Sequence, residues 1–115
     1  MRATVVTSPD GEHLAGQVDV ASASRGLVMY SLRSRKYERL TDFGEWPVWL
    51  PDGRRVLFVA FGNAFFIVDS QSKQVRKIFS VTRDVIGPPR LTRDGKTAYF
   101  SRRMTESDVW LLTMK

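Results

Sequence analysis

Short apolar runs alternate with polar turns along the whole chain. The clearest run, R-V-L-F-V-A-F at Arg55–Phe61, is dense in β-branched and aromatic residues and predicts a strand. Gly62-Asn63 then predicts a tight hairpin turn, and Ala64–Asp69 the next strand. No stretch of useful length carries apolar residues at helical spacing. The pattern therefore predicts an all-β chain.

The central strand is apolar on both faces. Successive side chains of a strand point to opposite faces, and no polar residue interrupts Val56–Phe61. Such a strand must be covered on both faces. Sheets stacked around an axis, as in a β-propeller, provide this cover.

A turn motif recurs three times in register. Its forms are T-S-P-D-G at Thr7–Gly11, W-L-P-D-G at Trp49–Gly53 and L-T-R-D-G at Leu91–Gly95, so that its aspartate recurs after 42 residues, at positions 10, 52 and 94. Proline presets φ, aspartate bonds a following N–H, and glycine takes the exit geometry. We predict structural turn roles for Pro9, Asp10, Gly11, Pro51, Asp52, Gly53, Asp94 and Gly95.

A period of this length indicates one supersecondary unit repeated along the chain. We predict a single domain over residues 1–115, a partial β-propeller of about three four-stranded antiparallel blades. The first blade covers about 3–41, the second about 46–80 and the third about 88–113. The third blade has a loop at Arg102–Ser107 and lacks its outer strand.

These motifs carry a resemblance to a known family. The pattern P-D-G-(R/K)-x-(V/A)-x-F at Pro51–Phe58, its variant at Arg93–Phe100, the stretch D-V-W-L at Asp108–Leu111 and the R-x-L-T-like segment Tyr37–Thr41 resemble the TolB-type, WD40-like β-propeller repeat. The resemblance covers nearly the whole chain. Its turn recurs in register, which makes it specific for the fold and much less so for function. Arg93 stands where the family usually has proline.

The resemblance implies that further blades complete the propeller. We expect the chain to be the C-terminal blades of a longer propeller or a stand-alone remnant. Its missing blades would come from the same longer chain or from self-association of two copies head-to-tail. A blade face would be exposed at each end.

The residue content argues against catalysis. There is no cysteine, and His13 is the single histidine, so a thiol nucleophile and a histidine-rich zinc site are excluded within the chain. No G-x-S-x-G elbow or phosphate-binding glycine loop occurs. The aspartates of the three turns recur once per blade, so we expect them to lie apart. We predict no enzyme activity, no cofactor and no metal site.

The charge is basic but dispersed. Eighteen Lys and Arg against twelve Asp and Glu give a net charge of +6. These cations scatter over turns and outer strands, a pattern typical of a solvated rim that protects strand edges. Nucleic acid is therefore an unlikely partner, and a basic channel for an anionic ligand is a minor alternative.

Two segments are candidates for partner binding. Trp46 lies in the connector Asp42–Trp46 that leads into an inner strand, and Arg102 and Arg103 lie in the predicted loop of the third blade. Inter-blade packing of Trp46 and plain solvation of the loop are the alternative interpretations. Seven other aromatic residues are predicted to pack in strands between blades: Trp49, Phe58, Phe65, Phe66, Tyr99, Phe100 and Trp110.

The predicted function is a non-catalytic scaffold that binds a protein or peptide. The alternative is an accessory propeller that gates or senses substrate in a larger enzyme, either a prolyl-peptidase-like hydrolase or a bacterial serine/threonine kinase. No apolar run is long enough to span a bilayer, and no signal peptide is visible in the chain. We expect a soluble protein of the periplasm or cytoplasm, without membrane insertion.

Overall fold

The computed structural model of the chain describes residues 5–18, 26–82, 85–103 and 107–113. Over these residues the chain consists of strands joined by turns, and the strands form three antiparallel sheets. The prediction of an all-β fold is confirmed.

The first sheet is a four-stranded meander in which each strand pairs with the next. The small residues of Val20–Arg25 predict a loop between its second and third strands, and this segment lies outside the described residues. The strands are β1 (Val5–Thr7), β2 (His13–Val18), β3 (Gly26–Ser31) and β4 (Tyr37–Thr41).

The middle sheet repeats this meander with β5 (Glu45–Trp49), β6 (Arg55–Ala60), β7 (Ala64–Asp69) and β8 (Val75–Ser80). The predicted strand Arg55–Phe61 is one residue too long. Phe61 has a φ of 60° and, with Gly62, forms the hairpin turn, so its ring is 77% exposed instead of facing a neighbouring sheet. Propensity places phenylalanine in a strand, but here the turn geometry overrides it.

The third sheet has a broken inner strand. The strands are β9 (Val85–Ile86), β10 (Arg90–Leu91), β11 (Thr97–Arg103) and β12 (Ser107–Thr113). Both β9 and β10 pair with β11, with a register that slips by one residue between them. Pro88 and Pro89 lie at the break, where their missing N–H groups cannot join the ladder. The sequence pattern missed β9 because two residues are too few to show a period.

The predicted loop Arg102–Ser107 is wrong at both ends. Arg102 pairs with Asp108 and Arg103 pairs with Ser107, so the two strands of the hairpin extend to these residues. Within the predicted loop, residues 104–106 are not among the described residues. Among the described residues, β12 pairs with β11 alone. The third sheet therefore has no outer strand there, as predicted.

Two apolar layers separate the three sheets. Val56, Phe58 and Ala60 pack against the first sheet, whereas Leu57 and Val59 pack against the third. These five side chains are at most 1% exposed. Burying each larger side chain contributes about 1.5–3 kcal/mol, so the middle sheet anchors both layers. The predicted cover on both faces of the central strand is confirmed.

The three repeated turns stack on one another. The ring of Pro9 lies 4.0 Å from the position of a Cβ on Gly53, and a Cβ on Gly95 would collide with the ring of Pro51. The residue at the proline position of one turn therefore packs on the glycine of the next turn. We call this row of contacts the turn ladder. Because the turn recurs once per sheet, the ladder places equivalent positions of neighbouring sheets in contact.

The first and third sheets each keep one uncovered face. On the first sheet, Val5 is 57% and Tyr37 is 75% exposed; on the third, Val85 is 60% and Leu111 is 70% exposed. The alternation of side chains places these residues opposite the buried layers. Both ends of the stack thus present apolar side chains to solvent.

Candidate binding groove

A groove of about 530 Å³ runs along the inner strands of the three sheets. One wall comes from β1 and β5, and the other comes from the broken inner strand and β11 of the third sheet. We call it the axial groove. Its lining residues are Val6, Trp46, Pro47, Val48, Trp49, Pro88, Pro89, Arg90, Leu91 and Tyr99.

Trp46 lines this groove from a distorted backbone. The pairing of β5 with β6 is irregular between Glu45 and Val48, and Trp46 within it has a φ of 54°. A positive φ in a bulky residue costs free energy and persists only where neighbours fix it. Here the Trp46 N–H donates to Oε1 of Gln17 at 3.0 Å. The ring is partly buried against the apolar layer beneath the third sheet, so Trp46 combines packing with groove lining.

Trp49, also on β5, lies at the base of the groove. Its side chain is 6% exposed, and its indole N–H donates to the backbone oxygen of Val6 at 3.2 Å. This bond links β5 to β1 across two sheets. Trp49 is therefore a buried inter-sheet residue, as the sequence predicted, and holds the groove walls in place.

The opposite wall is more exposed than expected. Tyr99, predicted to pack between blades, is 38% exposed because its side chain lies on the uncovered face of the third sheet. It is paired with Arg90, the single charged residue among the described groove-lining residues. The groove thus combines aromatic and proline surfaces with one cation.

Arg102 and Arg103 lie in β11, opposite Ile86 and Val85 of β9. Their side chains are outside the described part of the structure. Their role in partner binding stays a prediction, now attached to a strand and not to a loop.

The aspartate of each repeated turn is tied within its own turn. Asp10, Asp52 and Asp94 each accept the N–H of the residue two positions on at 2.9 Å. The turn glycine N–H donates back to the residue three positions earlier, at 2.8–3.0 Å. The carboxylates therefore act in the geometry of an Asx turn.

These bonds stabilise the charged form of the carboxylates. The Ser8 hydroxyl and then the Glu12 N–H lower the pKa of Asp10. Burial alone would raise the pKa of Asp52. Its hydrogen bonds from the N–H groups of Arg55 and Arg54 and from the Arg55 guanidinium outweigh burial, so the pKa is lowered. The Lys96 N–H and the Thr92 hydroxyl lower the pKa of Asp94. Arg54, followed by the Ser72 N–H, lowers the pKa of Asp69 to about 2.

Two of the three turn aspartates share a cleft. Asp10 and Asp52 both line a space of about 570 Å³ between the first and middle sheets, together with His13 and Arg54. Stacked turns bring these equivalent positions to one junction between the sheets. Within the described residues, no group of three or more His, Asp and Glu side chains could hold a metal ion.

We predict that acid destabilises the fold between about pH 4 and pH 2. Because the folded-state pKa of Asp69 lies below the ordinary aspartate value of 3.8, its contribution to stability is present above that pH and is lost as the pH falls through the folded pKa. Thermal melts followed by circular dichroism should show a falling Tm across this window. In Asp69→Asn the fall should be smaller, whereas the control Asp42→Asn should keep the full fall. An equal pH dependence in all three proteins would contradict the assignment.

Comparisons with known proteins identify the fold. Neither a family model nor a curated protein matches the chain. Among solved structures, the putative TolB of Agrobacterium tumefaciens superposes with a TM-score of 0.81 at 19% identity, over 99% of this chain and 46% of that one. TolB of Acinetobacter baumannii gives a TM-score of 0.72 at 23% identity, over 96% of this chain and 30% of that one. The chain has a TolB-like β-propeller fold.

The propeller of an enzyme matches as well. The acylaminoacyl peptidase of Pyrococcus horikoshii gives a TM-score of 0.66 at 14% identity, over 96% of this chain and 23% of that one. The chain spans less than half the length of each of these three structures. In the described part of the chain, no helix is long and apolar enough to cross a membrane.

Proposed function

We propose that the chain is a non-catalytic scaffold that binds a protein or peptide in the axial groove. Residues 1–115 would form one partial propeller domain with the blade limits predicted from the sequence. The observation that carries the proposal is the lining of the groove, where Trp46, Tyr99 and the exposed Pro88 meet one arginine. The scaffold would use neither a metal nor a cofactor, and would act in the periplasm or cytoplasm.

The chemistry of this lining suits a polypeptide. Exposed tryptophan, tyrosine and arginine are the side chains that dominate binding energy at protein interfaces. Proline rings and aromatic faces give a rigid apolar surface with little side-chain entropy to lose on binding. The backbone at Trp46 is already fixed by Gln17, so the anchor is preorganised.

Selection of peptides tests this proposal. Peptides from a random phage-displayed library, selected on the immobilised chain, should bind wild type and lose about thirtyfold in Kd with Trp46→Ala, the scale of an interface hot spot. Val75→Ala is the matched control, since Val75 is exposed on β8, the outer strand of the middle sheet, away from the groove lining and from both end faces, and should leave Kd unchanged. Fluorescence polarisation with labelled peptides gives both values.

Two results would oppose the proposal. One is a failure to select any peptide that binds the folded chain. The other is binding that Trp46→Ala and Val75→Ala affect equally, since such peptides would not use the groove. Circular dichroism of both variants establishes that each is folded before its affinity is measured.

A second candidate is an accessory propeller within a larger enzyme, which the likeness to the peptidase propeller supports. In that case the groove would filter or sense substrate, and the chemistry would belong to residues outside this chain. The decisive observation is the reading frame around these residues in the genome. A hydrolase domain after residue 115 or a kinase domain before residue 1 would favour this candidate over a free scaffold.

A further inference from the structure

The turn ladder has two unmatched ends. Gly11 of the first turn is exposed, and a Cβ built on it meets nothing within 4 Å. The corresponding glycines of the next two turns, Gly53 and Gly95, each carry a proline ring from the preceding turn. At the other end, Arg93 occupies the proline position of the third turn and is exposed.

The first and third turns also carry different charges. In the second and third turns the residue after the glycine is basic, Arg54 or Lys96, but in the first turn it is Glu12. Asp10 and Glu12 are both exposed, and neither forms an ion pair within the described residues. The first turn is thus acidic, whereas the third turn presents Arg93 where its two counterparts have an uncharged ring.

We propose that these ends pair between two copies of this chain. The uncovered face of the third sheet of one copy packs on the uncovered face of the first sheet of the next. Arg93 then lies over Gly11 of the next copy, beside its Asp10 and Glu12. The contact continues the ladder that the chain already builds twice between its own sheets.

The apolar faces favour the same arrangement. Val85 and Leu111 on the third sheet, and Val5 and Tyr37 on the first, would be removed from water together. Such a contact joins two different surfaces, so it propagates head-to-tail and closes into a ring when the rotation per copy allows.

One charge at this junction opposes the contact. Asp94 would lie near Glu12 of the next copy, but its carboxylate already accepts from the Lys96 N–H and the Thr92 hydroxyl in its own turn. Arg93 and Lys96 outnumber it on the same turn. The net electrostatic interaction between the third turn of one copy and the first turn of the next is therefore attractive. This pairing uses the end faces of the stack and does not rest on peptide binding in the groove.

Charge reversal at the two ends tests the pairing. By light scattering at micromolar concentration, wild type should have a mass of two or more times 13.1 kDa, the mass of one chain. Arg93→Glu places like charges at the junction, and so does Glu12→Lys, so each variant alone should associate at least tenfold more weakly. Mixed in equal amounts, the two variants restore opposite charges at every junction. The mixture should regain the mass of wild type.

The mixture distinguishes a specific junction from general stickiness. Lys36→Glu is the matched control, since it reverses an exposed charge outside the repeated turns and should leave the mass unchanged. A wild-type mass of 13.1 kDa throughout would overturn the proposal. Association of the two single variants with wild-type strength, or a mixture no stronger than its components, would also overturn it.

Discussion

Replacing Phe65 with alanine should destabilise the chain by about 3–5 kcal/mol, the cost of removing a large aromatic side chain from a packed core. Phe65 lies on β7, is fully buried, and packs edge to face on Phe100 of the third sheet with ring centroids 4.7 Å apart. Phe79 completes the cluster, with its ring centroid 6.2 Å from that of Phe65 and 5.7 Å from that of Phe100. The substitution therefore opens a cavity in the layer between the middle and third sheets. Urea unfolding followed by circular dichroism at one fixed protein concentration measures the loss.

Phe61→Ala is the control for this substitution. It removes the same side chain from the tip of the β6–β7 hairpin, where the ring is 77% exposed and contacts the rings of Phe43 and Phe66. Its cost should stay below about 1 kcal/mol. Similar losses in the two variants would show that the layer under the third sheet is not packed as described.

Gly95→Ala should cost about 2–4 kcal/mol, from two causes. Gly95 has a φ of 73°, where any L side chain is strained, and a Cβ there would collide with the ring of Pro51 in the preceding turn. The collision cannot be relieved locally, because Pro51 is a rigid ring in its own turn. The variant should therefore loosen the junction between the middle and third sheets. The change in the urea midpoint, with an unchanged slope, reports this loss.

Gly62→Ala separates the two causes. Its φ is 72°, but a Cβ there meets nothing within 4 Å, so only the backbone strain remains. That variant should cost about 1 kcal/mol. Pro51→Ala combined with Gly95→Ala should recover part of the loss, since the collision partner is smaller. If Gly95→Ala and Gly62→Ala cost the same, the turn ladder is not a packed contact.

The groove and the end faces place different demands on the protein. Peptide binding requires that the walls around Trp46 and Tyr99 stay open, whereas association between copies covers the flank of the third sheet. Tyr99 lies on that flank and also lines the groove. Comparing peptide affinity in wild type and in Arg93→Glu therefore shows whether association shapes the groove.

The sequence by itself determined the number of repeats, their phase and most strand positions. The recurrence of the turn and the apolar pattern of β6 can both be read from the order of residues, without knowledge of which strands meet in the fold. β7 has the bounds that the pattern predicts. The errors lie at β9, Phe61 and Arg102–Arg103, where the outcome depends on pairing with a distant strand or on a turn.

Only the tertiary structure decided what the residues do together. Period and propensity cannot show that Trp46 takes a positive φ held by the distant Gln17, or that Asp10 and Asp52 line one cleft. Nor can they show that the proline of one turn rests on the glycine of the next. These contacts join residues that are distant along the chain and lie on different sheets, and they exist only once the sheets stack. A repeat fixes the unit within the chain, whereas the packing between units creates the groove, the ladder and its two open ends.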